Sequence, residues 1–577
     1  ALDLVLERVV RLAPLPTPSP LSDHETILAS PAVRLFMQLA AVRGVDLSSD
    51  RESVAELTRE LDGLPLALEL AAALTDALAP STILELISRG ADPRGSELTA
   101  VFTSAFDRLS NEAKNVLMLA AEFQGWMTAA EVECVARHAD DQSDVTSALI
   151  ELARKSLLVR DDATYRLLAP LRTEVRAMTR DHAMTPKRHF AFREAVAEMV
   201  ETADRYLKTS LPGPPMAILD RLRGDARKVV HDAFEAGEGS VAWRVFAAMT
   251  LYWWIRQARD EATEIRQLVM QMNRSALDDE TELAGLACAA IADFSLAEIA
   301  RNHPLLEEAA ERARRTEASG WASFTLAQYA TALVTSDRFH PDALSGADEA
   351  VAHAEASGEP FATMYAMLTM GLVHAARLDF TNSTRYLNRS AAMAEASGLE
   401  ALGAYAWMWQ GHISTYAGEP ARAVEAYESA LAASKEIAWV HHSSLLGLAE
   451  AGELLGDLDT LDRYRSAAVT LRDMGDIRGA ATAAFRAAAL EIEIGHLERA
   501  ERLLATAVPD LQRWGDAAVQ AASVVTLATL DLALGDVSAA TEHLTEAENL
   551  FIRVGVPPDP VTLRALDRLR SGLAGSQ

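Results

Sequence analysis

Apolar residues recur every three or four positions along most of the chain, a helical period with few β-branched runs. Near the N-terminus a short strand-like run, Arg8 to Leu12, leads into a connector whose Pro14, Pro16, Pro18 and Pro20 forbid helix. Four helices are then marked by their ends. Ser30-Pro31 opens the first and Gly44 closes it; the second runs from Asp50 to Gly63; Pro65 starts the third; Ser81 caps the fourth, which ends at Gly90. Phe102, Phe106 and Leu109 share a helix face, and Ser110 caps the next helix. Two more helices follow, then two short apolar runs flanking Asp161-Asp162-Ala163, a β-hairpin signature, and a helix beginning near Leu171. Helices, hairpin and helix in that order make a winged-helix pattern.

From 228 to 556 the pattern repeats. Glu-Ala-Ser-Gly recurs at Glu317–Gly320, Glu355–Gly358 and Glu395–Gly398, and the ladder continues at Gly475, Gly515 and Gly555, with steps of 38, 40, 77, 40 and 40. A second ladder, Gly418, Gly456, Gly495 and Gly535, runs between them at 38, 39 and 40. Glycine closes helices because it enters the left-handed conformation cheaply, so two interleaved ladders predict two helices per unit. One unit fits the tetratricopeptide spacing at Trp407, Gly411, Ala423, Tyr427 and Ala430. The predicted fold is therefore nearly all-α: a helical domain and a winged helix, then an α-solenoid of tetratricopeptide-like hairpins. The expected divisions are a linker at 1–28, the helical domain at 29–95, the winged helix at 96–180, a helical connector at 181–227, the repeats at 228–556 and a C-terminal tail at 557–577.

Charge narrows the partners. The chain of 577 residues carries a formal charge of −29, and no run of Lys or Arg overrides it, which argues against direct nucleic-acid or anionic-membrane binding. Cys134 and Cys288 are the only cysteines, and both are expected to be buried free thiols in a reducing cytoplasm. No apolar stretch is expected to reach the roughly 20 residues that span a bilayer; the richest, Val245–Ile255, is too short. Residue 1 is Ala, so the natural start is expected to lie upstream.

Catalytic signatures are missing. A phosphate-binding loop needs glycines ahead of Lys-Ser or Lys-Thr, and neither Lys155-Ser156 nor Lys208-Thr209 has them. No H-E-x-x-H, C-x-x-C or G-x-S-x-G occurs, so no metal site, bound cofactor or enzyme activity is expected of this chain. Trp253-Trp254 reads either as a ligand platform or, as such pairs more often are, as core.

The stretches "LDGLPLALELAAAL", "ELTAVFTSAFDRLSNEAKNVLMLAAEF" and "LIELARKSLLVRDDATYRLLAPLR" resemble the downstream half of an NB-ARC-type STAND ATPase module. The likeness is to the branch found in bacterial transcriptional regulators of the Streptomyces antibiotic regulatory protein type and the large LuxR-like type. It covers roughly residues 5–270 by motif and the rest by architecture. The resemblance implies a switch in which nucleotide, bound between a core upstream and these domains, holds a closed state. Gly63, Leu64, Pro65 and Leu66 would form the adenine-side lip, with Pro65 against the base. Leu168 stands where many relatives place a histidine that contacts phosphate. ATP or ADP is thus implied for a full-length relative and not for this chain. In such switches the repeats would sense a protein, peptide or small-ligand inducer, and self-association is possible; apart from the resemblance, the first helices of the middle repeats are expected to line a groove with Tyr365, Tyr405, Trp409 and His412. The competing reading is a free-standing repeat scaffold that has lost its ATPase core.

Overall fold

The computed structural model describes residues 14–576 apart from 20–23, 43, 49, 73–74, 76–77, 89–105, 107–108, 156, 180–184, 210–212, 257, 292–302, 318, 338, 435–436, 458, 474–475, 515–516 and 555–556. The chain divides into two compact units, one holding residues 1–199 and Arg221–Asp225, the other Val200–Asp220 and everything from Ala226. The strand-like run at Arg8–Leu12, the face at Phe102 and the glycines at 90, 475, 515 and 555 lie outside the described residues.

The first unit begins with α1 (His24–Ala29), α2 (Pro31–Val42), α3 (Arg51–Glu60), α4 (Pro65–Ala72) and α5 (Pro80–Ser88). Phe36, Leu57, Leu68 and Ile83 meet in their shared core. Ser30 stands directly before α2 as expected, its carbonyl accepting the Arg34 N–H at 2.9 Å, while the cap expected at Ser81 differs. The Ser30 hydroxyl donates to the Pro16 carbonyl at 2.9 Å and so ties down the connector. Helix α5 already includes Pro80, so Ser81 lies inside it. Proline needs no N–H at a first helical position, which moves the start one residue earlier.

Next come α6 (Asn111–Ala120), β1 (Met127–Thr128), α7 (Ala129–His138), α8 (Val145–Arg154), β2 (Val159–Asp161), β3 (Thr164–Arg166), α9 (Ala169–Thr179) and α10 (Thr185–Leu207). Ser110 caps α6 by accepting from the Ala113 N–H, as its position predicts. Thr128 and Glu131 cap α7 reciprocally. The hairpin forms at the expected place, with Asp162 at φ 48, and an antiparallel sheet of order β1-β3-β2 results.

The second unit takes the end of α10 from Val200 and most of α11 (Gly213–Ala236), then α12 (Gly239–Arg256), α13 (Arg259–Val269), α14 (Asp279–Ala290) and α15 (His303–Ala313). Regular hairpins follow: α16 (Gly320–Ser336) with α17 (Pro341–Ser357), α18 (Pro360–Ala376) with α19 (Phe380–Ala396), and α20 (Glu400–Tyr416) with α21 (Pro420–Ala433). Then come α22 (Ala438–Leu455) with α23 (Thr460–Asp473), α24 (Ile477–Glu493) with α25 (Leu497–Trp514), and α26 (Ala517–Leu534) with α27 (Val537–Val554). Within each hairpin the two helices pack together, and among the first helices α16 packs closely on α18, α20 on α22 and α24 on α26, forming an inner row.

Gly358, Gly398, Gly418, Gly456, Gly495 and Gly535 all have φ between 70 and 87, the left-handed closure expected of them. Gly320 does not. It is the first residue of α16, and Ser319 caps that helix directly. Tyr427, fully buried, explains the tetratricopeptide spacing: a Cβ on Gly411 or Gly447 would lie 2.5 or 2.1 Å from its ring. Small residues on two successive inner helices thus make room for one tyrosine.

The segment expected as a tail is a packed helix, α28 (Pro560–Ser576), whose Leu566, Leu569 and Leu573 join Val524 and Val525 of α26 in one core. A buried guanidinium anchors its start. Arg486 pairs with Asp559 at 2.9 Å and with Glu450 at 3.6 Å, and donates to the Thr562 hydroxyl at 3.2 Å. Burial pushes the Glu450 carboxyl up to about 7 and raises Glu453 also, while Arg486 holds Asp559 below the usual range despite its burial. Helix α26, and not Val245–Ile255, is the one described helix long and apolar enough by length and composition to cross a membrane. Its Val524, Val525 and Leu530 sit in the repeat core.

Candidate functional site

Two places bear on function, one in each unit. The first is the Gly-Leu-Pro-Leu corner between α3 and α4. Gly63 is buried at φ 63, and a Cβ there would come within 2.0 Å of the Leu15 carbonyl oxygen. The connector is therefore laid directly on the corner, with the Leu15 N–H donating to the Gly63 carbonyl at 2.9 Å. Leu64 is half-buried, Pro65 is exposed at the first position of α4, and the side chain of Leu66 lies outside the described residues.

Asp62, just before the corner at φ 53, reaches the segment between the hairpin and α9. Its Oδ2 accepts the Ala169 N–H at 2.7 Å, and its Oδ1 pairs with Arg166 at 2.8 Å. The N-terminal amides of a helix are where an anion is best held. Here a carboxylate of the same unit already holds the first amide of α9, beside Leu168. This contact, between residues 62 and 169, has no local sequence signal.

The second place is the inner row of the second unit. Tyr405, Trp409 and His412 fall one turn apart along α20 and come together as expected. Tyr405 lies 6.2 Å from Trp409, and Trp409 lies 5.7 Å from His412, ring centre to ring centre. Tyr365 makes its ring contacts elsewhere, although the Tyr405 phenol is near enough to add to burial in raising the Tyr365 pKa. It stacks on Phe361 at 6.1 Å, packs on Phe324 at 4.8 Å, and its hydroxyl takes a 2.5 Å hydrogen bond from Gln328. That second cluster continues to Trp321, over which Lys208 sits at 4.2 Å.

Two aromatics that were not predicted to line the groove complete the first cluster. Trp254 of α12 and Trp439 of α22 each stand edge-on to neighbours: Trp254 to Tyr405 and to Trp439, both at 5.3 Å, and Trp439 to Tyr405 at 5.5 Å. Its sequence neighbour Trp253 is core, 2% exposed, with its indole N–H bonded to Glu261 at 2.8 Å. The pair thus divides between both readings, because consecutive helical residues point in different directions.

The cluster is polar at its edges. The Trp439 indole N–H is buried and meets no acceptor, and the Trp409 N–H lies beside the Tyr405 phenol without a well-aligned bond. Burial keeps the Tyr405 phenol protonated, above its ordinary range. His412 accepts from or donates to the Tyr427 hydroxyl at 2.9 Å, and burial pushes its imidazole down to about 4, so it is neutral at pH 7. A half-buried aromatic surface with an unsatisfied donor suits a ligand that is apolar in body and carries a hydrogen-bond acceptor.

No family model matches the sequence. Three mycobacterial proteins named as HTH-type transcriptional regulators, one from Mycobacterium bovis and two from strains of Mycobacterium tuberculosis, are each 33% identical to this chain over 135 residues. The match takes in 21% of this chain and spans only 15% of the length of those regulators. Among solved structures, a Pyrococcus horikoshii STAND protein with a tetratricopeptide repeat sensor is 14% identical, with a TM-score of 0.41 over 96% of this chain and 75% of that one. A Rap protein complexed with Competence and Sporulation Factor gives 14% and 0.42 over 59% and 99%. The quorum sensor NprR from B. thuringiensis gives 12% and 0.39 over 62% and 98%. At these TM-scores none of the structural likenesses decides the function.

Proposed function

We propose that this chain is the sensing and relay portion of a cytoplasmic STAND-type regulator of transcription, of the antibiotic-regulatory or large LuxR-like type. The observation that carries the reading is the cluster of Trp254, Tyr405, Trp409 and Trp439, with its unsatisfied indole N–H, on the inner row of the repeats. A buried donor without a partner costs about 1–3 kcal/mol that a ligand acceptor relieves; the Trp243 indole in the core shares that state, and what sets Trp439 apart is its half-buried place beside the rings of Trp254 and Tyr405. The 33% identity to HTH-type regulators supports the regulatory setting. The Gly63–Leu66 corner supports the switch: Pro65 offers an exposed, rigid apolar face suited to a flat ring.

In this reading the hairpin-bearing part of the first unit is the winged helix of the switch. It transmits force through Asp62 and does not read phosphate, because its helix amide is already satisfied by that carboxylate. Nucleotide would require a phosphate cradle that none of these residues supplies. Two measurements test the reading. Calorimetry with ATP and ADP should show no sub-micromolar binding to this chain. A panel of short synthetic peptides, apolar with a free carboxylate, screened by tryptophan fluorescence, should yield saturable binders. Tight nucleotide binding, or a panel with no binder, would overturn it.

A further inference from the structure

The last turn of α7 carries a cluster that the switch does not use. Cys134 and His138 stand one helical turn apart on one face, and Glu198 of α10 meets them from across the packing interface. One ligating atom from each, sulfur, imidazole nitrogen and carboxylate oxygen, lies within 4.8 Å of the other two. His138 Nε2 is 2.7 Å from Glu198 Oε2. Tetrahedral ligation at zinc-like bond lengths puts nitrogen and oxygen donors about 3.3–3.5 Å apart, so the pair must open by about 0.6–0.8 Å.

The geometry points to a divalent transition-metal site at Cys134, His138 and Glu198, with zinc or cobalt as the fitting ions and one position left to water. The donor set joins a soft thiolate and a borderline imidazole to one hard carboxylate, and the first two disfavour calcium and magnesium, which take oxygen ligands. One thiolate and one carboxylate neutralise a dication, so the site closes without net charge. Binding takes the thiol proton away: the sulfur–hydrogen bond breaks, the proton leaves to solvent, and the sulfur pair becomes the metal bond.

Arg137 is the competitor. Its guanidinium donates to Glu198 at 2.8 and 3.2 Å and contacts the Cys134 sulfur at 3.3 Å, so it occupies the place of the cation. Its side chain is 62% exposed and can swing into solvent when metal enters. The metal would replace a loose ionic clasp between α7 and α10 with a coordinate one. Sequence motifs overlook the site because the Cys-x3-His spacing gains its third ligand only through tertiary packing.

The test is a cobalt titration of the full, reduced chain. One equivalent should raise a thiolate-to-cobalt charge-transfer band in the near ultraviolet, which zinc then bleaches. Cys134→Ser should abolish the band, and His138→Ala and Glu198→Gln should each weaken affinity at least tenfold. Arg137→Ala should tighten it at least threefold, an effect a purely ionic clasp would not produce, and Cys288→Ser should change nothing. Circular dichroism checks that each variant is folded. No band at excess cobalt, a band that survives Cys134→Ser, undiminished affinity in His138→Ala and Glu198→Gln, or no tightening in Arg137→Ala would overturn the assignment.

Discussion

Trp254 stands edge-on to Tyr405, ring centres 5.3 Å apart at 82°, although one belongs to the irregular helices that open the second unit and the other to its middle repeat. Edge-to-face pairs of this kind add about 0.5–1.5 kcal/mol beyond area burial. Trp254→Ala, which loses two of them and leaves a half-filled space, should destabilise the unit by about 1–3 kcal/mol in urea denaturation. An unchanged midpoint would mean that the rings do not meet.

The hairpin packing has its own test. Tyr427 fills the space left by Gly411 and Gly447, so Gly447→Ala should push its ring away and cost about 1–3 kcal/mol. The partner change Tyr427→Leu in that background should recover part of the loss. Thermal denaturation of the single and double variants checks the coupling.

The repeats were legible because helix closure has a local chemical cause: a left-handed position wants glycine, and the two ladders report it. The exception, Gly320, follows from the same logic, since Ser319 begins a new helix there at once. The candidate groove was only half legible. Tyr405, Trp409 and His412 share a helix face, which spacing reveals, whereas Trp254 and Trp439 reach them through tertiary packing, which spacing does not. Tyr365, 40 residues before Tyr405, makes its ring contacts and hydrogen bond with Phe324, Phe361 and Gln328 instead, while still lying near enough to Tyr405 for that phenol to add to burial in raising its pKa. The relation of Asp62 to Ala169 was illegible for the same reason as Trp439.

Asp62 carries two separable interactions. Asp62→Asn keeps an acceptor for the Ala169 N–H and tolerates the positive φ, and so loses only the ion pair with Arg166. Asp62→Ala loses both and strains the backbone. The alanine variant should lose about 1–3 kcal/mol, and the asparagine variant clearly less. Equal losses in chemical denaturation would show that the helix cap contributes nothing.

His412 predicts a pH dependence. Its imidazole titrates near 4 in the folded chain against an ordinary 6.5, so the unfolded chain binds more protons between those values. Its contribution to stability is fully present above about pH 6.5 and is lost as pH falls toward 4, at up to about 1.4 kcal/mol per unit. Relative to wild type, His412→Asn should therefore look worst at pH 7 and progressively less so at pH 5. A difference that is constant across that window would contradict the burial of a neutral imidazole.

Arg486 neutralises Glu450 and Asp559 at the start of α28. Arg486→Ala leaves those carboxyls buried without their cation and should destabilise by about 3–5 kcal/mol. Adding Glu450→Gln should return part of that. Limited proteolysis near residue 559 reports whether α28 is released.

In the proposed function the inner-row aromatic cluster receives the signal. Its most direct measurement is the affinity of a peptide hit from the fluorescence screen for the wild-type chain, for Tyr405→Ala and for Trp439→Phe, which keeps the ring but removes the unsatisfied N–H. Tyr405→Ala should lose at least tenfold and Trp439→Phe a smaller but definite amount, with helicity unchanged in both. Equal affinity in all three chains would contradict that role.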